Sequence, residues 1–245
     1  TIFPMSLAEA CSWDLDLMRQ TAAIAAEEAA ADGIKWTFAP MVDLARDPRW
    51  GRVMEGAGED PFLGSEIAKA RVQGFQGGTD WHSLSKTNTV LACVKHFAAY
   101  GAAEAGRDYN TAELSQHTLW NAYLPPYKAA IDAGVGTVMA SFNEVNGIPA
   151  TANRYLMTDI LRKQWGFKGF VVTDYTGINE LVPHGVAVDN KHAAELAINA
   201  GIDMDMTGAN FIKHLKKSVE EGKVKEETIN TAVRRILEMK FVLGL

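Results

Sequence analysis

Basic charge, cysteine and long apolar runs are all scarce in this chain, and each scarcity removes a class of function. Lys plus Arg number 24 against 30 Asp plus Glu, a net charge of −6. A mildly acidic surface has no general attraction for nucleic-acid phosphates or an anionic bilayer, so neither partner is expected. Two cysteines, Cys11 and Cys93, are too few for a disulfide framework or a cysteine zinc site. No apolar run approaches the ~20 residues of a membrane span. Linkers rich in Ser and Pro are missing, as are tandem repeats, so the 245 residues read as one domain. Several catalytic motifs are also missing. Gly77-Gly78 lacks the Gly-Lys-Ser/Thr ending of a phosphate loop, no His-Glu-x-x-His helix occurs, and Ser141 lies outside any Gly-x-Ser-x-Gly elbow. The opening Thr1-Ile2-Phe3-Pro4 carries neither an initiator Met nor a secretory leader. It reads as a cut inside a longer parent that is also expected to run past Leu245.

What is present is a globular balance, 47% hydrophobic and 22% charged, laid out in two alternating kinds of segment. Leu15, Met18, Ala22, Ala25 and Ala29 recur every three or four residues, the spacing of a helix face, and Gly33 follows as a stop. Further helices are expected from Pro61 to Gly77, Thr111 to Asp132 (disturbed at Pro125-Pro126), Arg154 to Trp165 and His192 to Asn199, with two more closing the chain. Apolar strands are expected at residues 36–42, 90–97, 135–142, 169–175 and 202–206. Buried strands alternating with amphipathic helices imply a parallel sheet covered on both faces. The polar residues of these strands collect at the C-terminal ends: Asp43, Lys95-His96, Asn143 and Asp174. That is where α/β barrels and open parallel sheets carry their chemistry.

Asp174, just past the apolar strand Phe170-Val171-Val172-Thr173, is placed to serve as nucleophile, base or metal ligand, or else to cap the next turn. Lys95 and His96 end another strand. Adjacent strand residues point to opposite faces, so both reach one ligand only if the strand ends or bulges there. The loop Asp47-Pro48-Arg49-Trp50-Gly51-Arg52, with Glu55, Glu59 and Asp60 near it, reads mainly as an internally bridged loop. One free guanidinium in it would suit sugar hydroxyls, because Arg presents five fixed donors.

Five stretches in one order narrow the reading: Arg46-Asp47-Pro48-Arg49-Trp50-Gly51-Arg52, Gly58-Glu59-Asp60-Pro61, Lys95-His96-Phe97, Asn143-Glu144-Val145-Asn146-Gly147, and Trp165-Gly166-Phe167-Lys168-Gly169 leading to Thr173-Asp174-Tyr175. Together they resemble the N-terminal catalytic domain of glycoside hydrolase family 3, β-glucosidase-like branch, over essentially the whole chain. The resemblance implies a TIM-like (β/α)8 barrel, here incomplete because its first strand would precede Thr1. It implies a retaining exo-glycosidase acting on terminal β-glucosyl residues of a β-glucoside or oligosaccharide, with no metal and no organic cofactor. Asp174 matches the family nucleophile, and Arg52, Lys95 and His96 match residues that grip the terminal sugar. Phe142 stands where many relatives place a Tyr, and Tyr175 where they often place a Trp; both are expected at the substrate.

The general acid/base, a Glu in a C-terminal α/β sandwich domain, would lie beyond Leu245, so the segment alone is expected to be weakly active or inactive. The loop from Ala98 to Tyr109 lacks the Asp-His pair of the N-acetylglucosaminidase branch. The resemblance makes a periplasmic or secreted parent the expectation. Two other readings stay open on the residues: a Schiff-base lyase using Lys95, and a non-catalytic carbohydrate-binding domain.

Overall fold

The computed structural model describes residues 1–245. Its centre is a parallel sheet whose three regular strands, β1 (Cys93–Phe97), β2 (Thr137–Ala140) and β5 (Phe170–Val172), lie in the order β1-β2-β5. Cys93 faces Thr137, and Thr137 faces Phe170, so the ladder is in register across all three. Residues 36–42 extend the sheet beyond β1 through single parallel bridges, Trp36 to Leu91 and Met41 to Lys95. Residues 202–206 extend the other edge through Met204 and Val172. These two segments, expected as full strands, thus dock by isolated bridges rather than continuous ladders. The strands form a parallel sheet covered by helices, the α/β arrangement expected, and no pairing that would close it into a complete eight-stranded barrel is seen. A short hairpin, β3 (Glu144–Val145) with β4 (Ile148–Pro149), sits above the C-terminal end of β2.

Alternation along the strands divides the apolar residues between two cores. Val90, Ala92, Val94, Val138, Ala140 and Val171 face the large core shared with the helices. Leu91, Cys93, Met139, Phe170 and Val172 face a smaller core on the opposite side. Parity breaks once. Val94 and Phe97 both lie in the large core, and the ladder register slips between them; the Lys95–His96 peptide within this stretch and the Phe97–Ala98 peptide just after it are cis.

The helices are α1 (Ser6–Ala10), α2 (Leu15–Ala31), α3 (Pro61–Gln76), α4 (Gln116–Thr118), α5 (Pro125–Asp132), α6 (Asn190–Ala200), α7 (Asn210–Glu220) and α8 (Glu226–Val242). Aspartates start three of them: Asp14 accepts from the Leu17 N–H, Asp60 from Leu63 and Asp189 from His192. α2 and α3 touch at Gly74, where a Cβ would lie 2.4 Å from the Arg19 carbonyl oxygen. The helix expected from Thr111 begins only at Gln116, because Ser115 caps it and Ala112 pairs with Val145 of the hairpin instead. Two segments wind more widely than an α-helix, with N–H to C=O bonds five residues apart, at Leu119–Tyr123 and Tyr155–Gln164. The first ends at Leu124, so Pro125 starts α5 at a position where its missing N–H costs nothing.

Candidate active site

The polar residues at the C-terminal ends of the strands converge into two connected groups. Asp174 leaves β5 with its side chain 15% exposed. Its Oδ1 accepts from the Tyr175 N–H at 2.7 Å, while Oδ2 is buried and has no hydrogen-bond partner. His96 lies beside it, its Nε2 3.5 Å from that oxygen. Thr173 accepts the Met206 N–H at 2.9 Å, so the edge segment 202–206 steadies the turn carrying Asp174. His96 is itself enclosed, with Asp43 at 2.8 Å from Nδ1 and the Tyr100 ring edge-on at 5.1 Å.

The second group is built on the loop after residues 36–42. Arg52 makes a two-pronged pair with Glu55, Nε to Oε1 at 2.7 Å and Nη2 to Oε2 at 2.9 Å. Its guanidinium also sits 5.6 Å from the centre of the Tyr100 ring. Burial works against the Arg52 charge, but Glu55 and Tyr100 outweigh it and leave the group more basic than usual. Arg52 holds the Glu55 carboxyl below its ordinary value against the opposing effect of burial, with Lys95 adding positive charge. Lys95 is half-buried, makes no salt bridge, and lines a cavity of about 300 Å³ with Met54, Glu55 and Arg71. Neither Arg52 nor Lys95 pairs with Asp174; the cation placed to meet it is His96, when protonated.

The two aromatic candidates sit apart. Tyr175 is 63% exposed at the rim. Phe142 is buried, edge-on to Tyr100 at 6.2 Å, and covered by the Tyr109 ring, stacked on it at 4.3 Å and 27°. The aromatic surface exposed there belongs to Tyr109. Burial first, then the charges of Asp174 and Asp108, push its phenol above the ordinary range. Cys93, beneath the site, is ruled out as a nucleophile because burial pushes its thiol up to about 12.

Asp43, Glu55, Tyr100 and Tyr109 are the residues that sequence reasoning left outside the site. Asp43 carried a signal, since it ends a strand segment on the same edge as Lys95-His96 and Asp174. Glu55 had a weaker one, three residues after Arg52 in a loop already read as internally bridged. Asp47 and Arg49 close the rest of that loop in the same way, at 2.7 Å.

The profile of the glycosyl hydrolase family 3 N-terminal domain matches residues 1–239. The chain belongs to glycosyl hydrolase family 3. It is 46% identical over 245 residues to a periplasmic β-glucosidase of Salmonella typhimurium, covering 100% of this chain and 32% of that protein. A β-xylosidase of Formosa agariphila is 36% identical over 255 residues, with 100% of this chain and 35% of that one covered. Among solved structures, the β-glucosidase from Listeria innocua in complex with glucose superposes with a TM-score of 0.98 at 50% identity, over 100% of this chain and 34% of that one. The chain spans about a third of the length of these family 3 relatives.

Proposed function

We propose that this chain carries the nucleophile and part of the sugar-binding wall of a retaining, exo-acting β-glycosidase of the β-glucosidase type. The observation that carries the reading is the Asp174 carboxylate, fixed at the end of β5 with one oxygen tied to the backbone and the other enclosed and unpartnered. A nucleophile for an anomeric carbon needs a lone pair that no donor occupies. A carboxylate oxygen of Asp174 attacks that carbon, the glycosidic C–O bond breaks, and its electron pair leaves on the aglycone oxygen, which takes a proton from a general acid. Water then cleaves the aspartyl ester, with the conjugate base of that acid removing the water's proton.

Arg52, Lys95 and His96 hold the terminal sugar, with Glu55 and Tyr100 holding Arg52. Tyr109 and Tyr175 form the aromatic rim. The general acid is assigned to a C-terminal α/β sandwich domain, brought to about 5–5.5 Å from Asp174 as retention requires. Support for so large a remainder comes from the relatives, of whose length this chain covers about a third. The Salmonella relative's periplasmic name supports an exported protein.

The test is incubation of the full-length protein with a 2-fluoro-β-glucoside, followed by mass spectrometry of its peptides. A stable adduct on Asp174 is expected, absent from Asp174→Asn. An adduct on another residue would refute the assignment. Because some relatives are β-xylosidases, the matching 2-fluoro-β-xyloside is run beside it. Faster inactivation by the xyloside would move the substrate class to pentosides.

A further inference from the structure

The geometry points to Asp43, helped by Tyr127, as the residue that decides which nitrogen of His96 faces the nucleophile. The inference rests on the reading of Asp174 above and deepens it. The Asp43 side chain is fully enclosed (0% exposed), and that of His96 nearly so (1%). Oδ2 of Asp43 accepts from the His96 backbone N–H at 2.8 Å and lies 2.8 Å from ring Nδ1. Oδ1 accepts from the Tyr127 hydroxyl, which also lies 2.6 Å from the His96 carbonyl oxygen. Oδ2 already accepts from the His96 backbone N–H, so it meets the ring as an acceptor whichever way the Tyr127 proton points. An Nδ1 lone pair pointed at that oxygen would put two acceptors in contact in a fully enclosed site. The proton that makes the 2.8 Å contact favourable sits on Nδ1.

Nε2 is then the nitrogen turned toward Asp174, 3.5 Å from the unpartnered Oδ2. That separation is too long for a good hydrogen bond, so Asp174 does not itself hold the ring in place. In the neutral ring with its proton on Nδ1, Nε2 is the lone-pair nitrogen. Tyr100 blocks one side of the imidazole, edge-on at 5.1 Å, so the ring cannot swing freely to swap its nitrogens. Asp43 thus acts through His96. It ties the loop after residues 36–42, the bulge in β1 and, through Tyr127, helix α5 into one support for the sugar-facing nitrogen. It is a positioning residue and touches neither the substrate nor the reacting atoms.

The experiment is long-range ¹H–¹⁵N correlation of histidine-labelled full-length protein, at a pH where the ring is neutral, together with kinetics on an aryl β-glucoside. Wild type is expected to show His96 protonated on Nδ1. Asp43→Asn is expected to mix or invert the tautomers. It should also lower kcat/KM about 10- to 100-fold, mostly in kcat, the scale seen when the partner orienting a functional histidine is lost. Tyr127→Phe removes one supporting hydrogen bond and should cost about fivefold while leaving the tautomer unchanged.

A wild-type ring protonated on Nε2 overturns the inference, and that measurement needs no variant to fold. A folded Asp43→Asn with the wild-type tautomer and kcat/KM overturns it as well. The 2-fluoro-glucoside separates the two levels. Labelling at Asp174 with an unaltered tautomer in Asp43→Asn sinks this inference alone. Labelling elsewhere in wild type sinks the nucleophile assignment, and the positioning role of Asp43 with it, even where the Nδ1 proton is found.

Discussion

Replacing Glu55 by Gln keeps the side chain's length and removes its charge, which makes it the cleanest probe of the Arg52 clamp. In the structure Glu55 holds Arg52 through two contacts, at 2.7 and 2.9 Å. Gln offers one acceptor oxygen and turns an amide NH2 toward the guanidinium, so one contact is kept and the other becomes donor against donor. Breaking a fully buried pair costs about 3–5 kcal/mol, whereas an exposed pair is worth about 0–1 kcal/mol. This one lies between, with side chains 24% and 40% exposed, and its strength discounted for solvent comes to about 1–2 kcal/mol.

If Arg52 grips the sugar in the transition state, that loss appears as a drop of roughly 5- to 30-fold in kcat/KM on an aryl β-glucoside. The Tyr100 ring still backs the guanidinium, so complete loss is not expected. A value within twofold of wild type, in a variant whose melting curve is unchanged, refutes the claim that Glu55 holds Arg52 for substrate. The pH dependence follows with a defined sign. Arg52 depresses the folded Glu55 value below 4.5. Its contribution to stability is therefore complete above about pH 4.5 and is lost as pH falls through the depressed value. The stability difference between wild type and Glu55→Gln should close in acid and stay constant at neutral pH.

Asp203→Ala should be severely destabilising. Its buried carboxylate serves Arg162, Arg235 and the Val171 N–H, and burial raises its pKa although both arginines oppose the rise. Stranding the guanidinium groups costs about 3–5 kcal/mol, a fall of roughly 10 °C in Tm for a domain of this size; a shift under about 3 °C would contradict it. Gly101→Ala places a Cβ 1.9 Å from the Leu44 carbonyl oxygen, and calorimetry should find a loss of about 1–3 kcal/mol. Wild-type stability there would mean that the loop after β1 can shift without cost. Tyr109→Ala uncovers Phe142 and should raise KM for a β-linked disaccharide roughly 2- to 12-fold, the worth of one aromatic contact. An unchanged KM removes Tyr109 from the rim.

Much of the layout is legible from the residues alone. The alternation of apolar strand and amphipathic helix reports a parallel sheet with two covered faces, and the structure assigns alternate strand residues to two separate cores. The edge segments at 36–42 and 202–206 look like strands because they are equally apolar. Apolarity reports burial and not pairing, and each holds the sheet through isolated bridges. The start of the helix at Gln116 is not legible, because Thr111 to Glu113 are compatible with either outcome. The hairpin, which cannot be seen locally, draws Ala112 away.

The order of the motifs fixes the family, and the ends of the strands mark which polar residues share a rim. These are properties of periodicity and spacing, which a chain carries before it folds. Which of those residues touch is decided by contacts between segments far apart in sequence. Asp43 reaches His96 across 53 positions and Tyr127 across 84, Tyr109 covers Phe142, and the strand register slips between Val94 and Phe97. No local pattern encodes these pairings, because each depends on how the sheet and helices settle against one another, and only the folded packing supplies that.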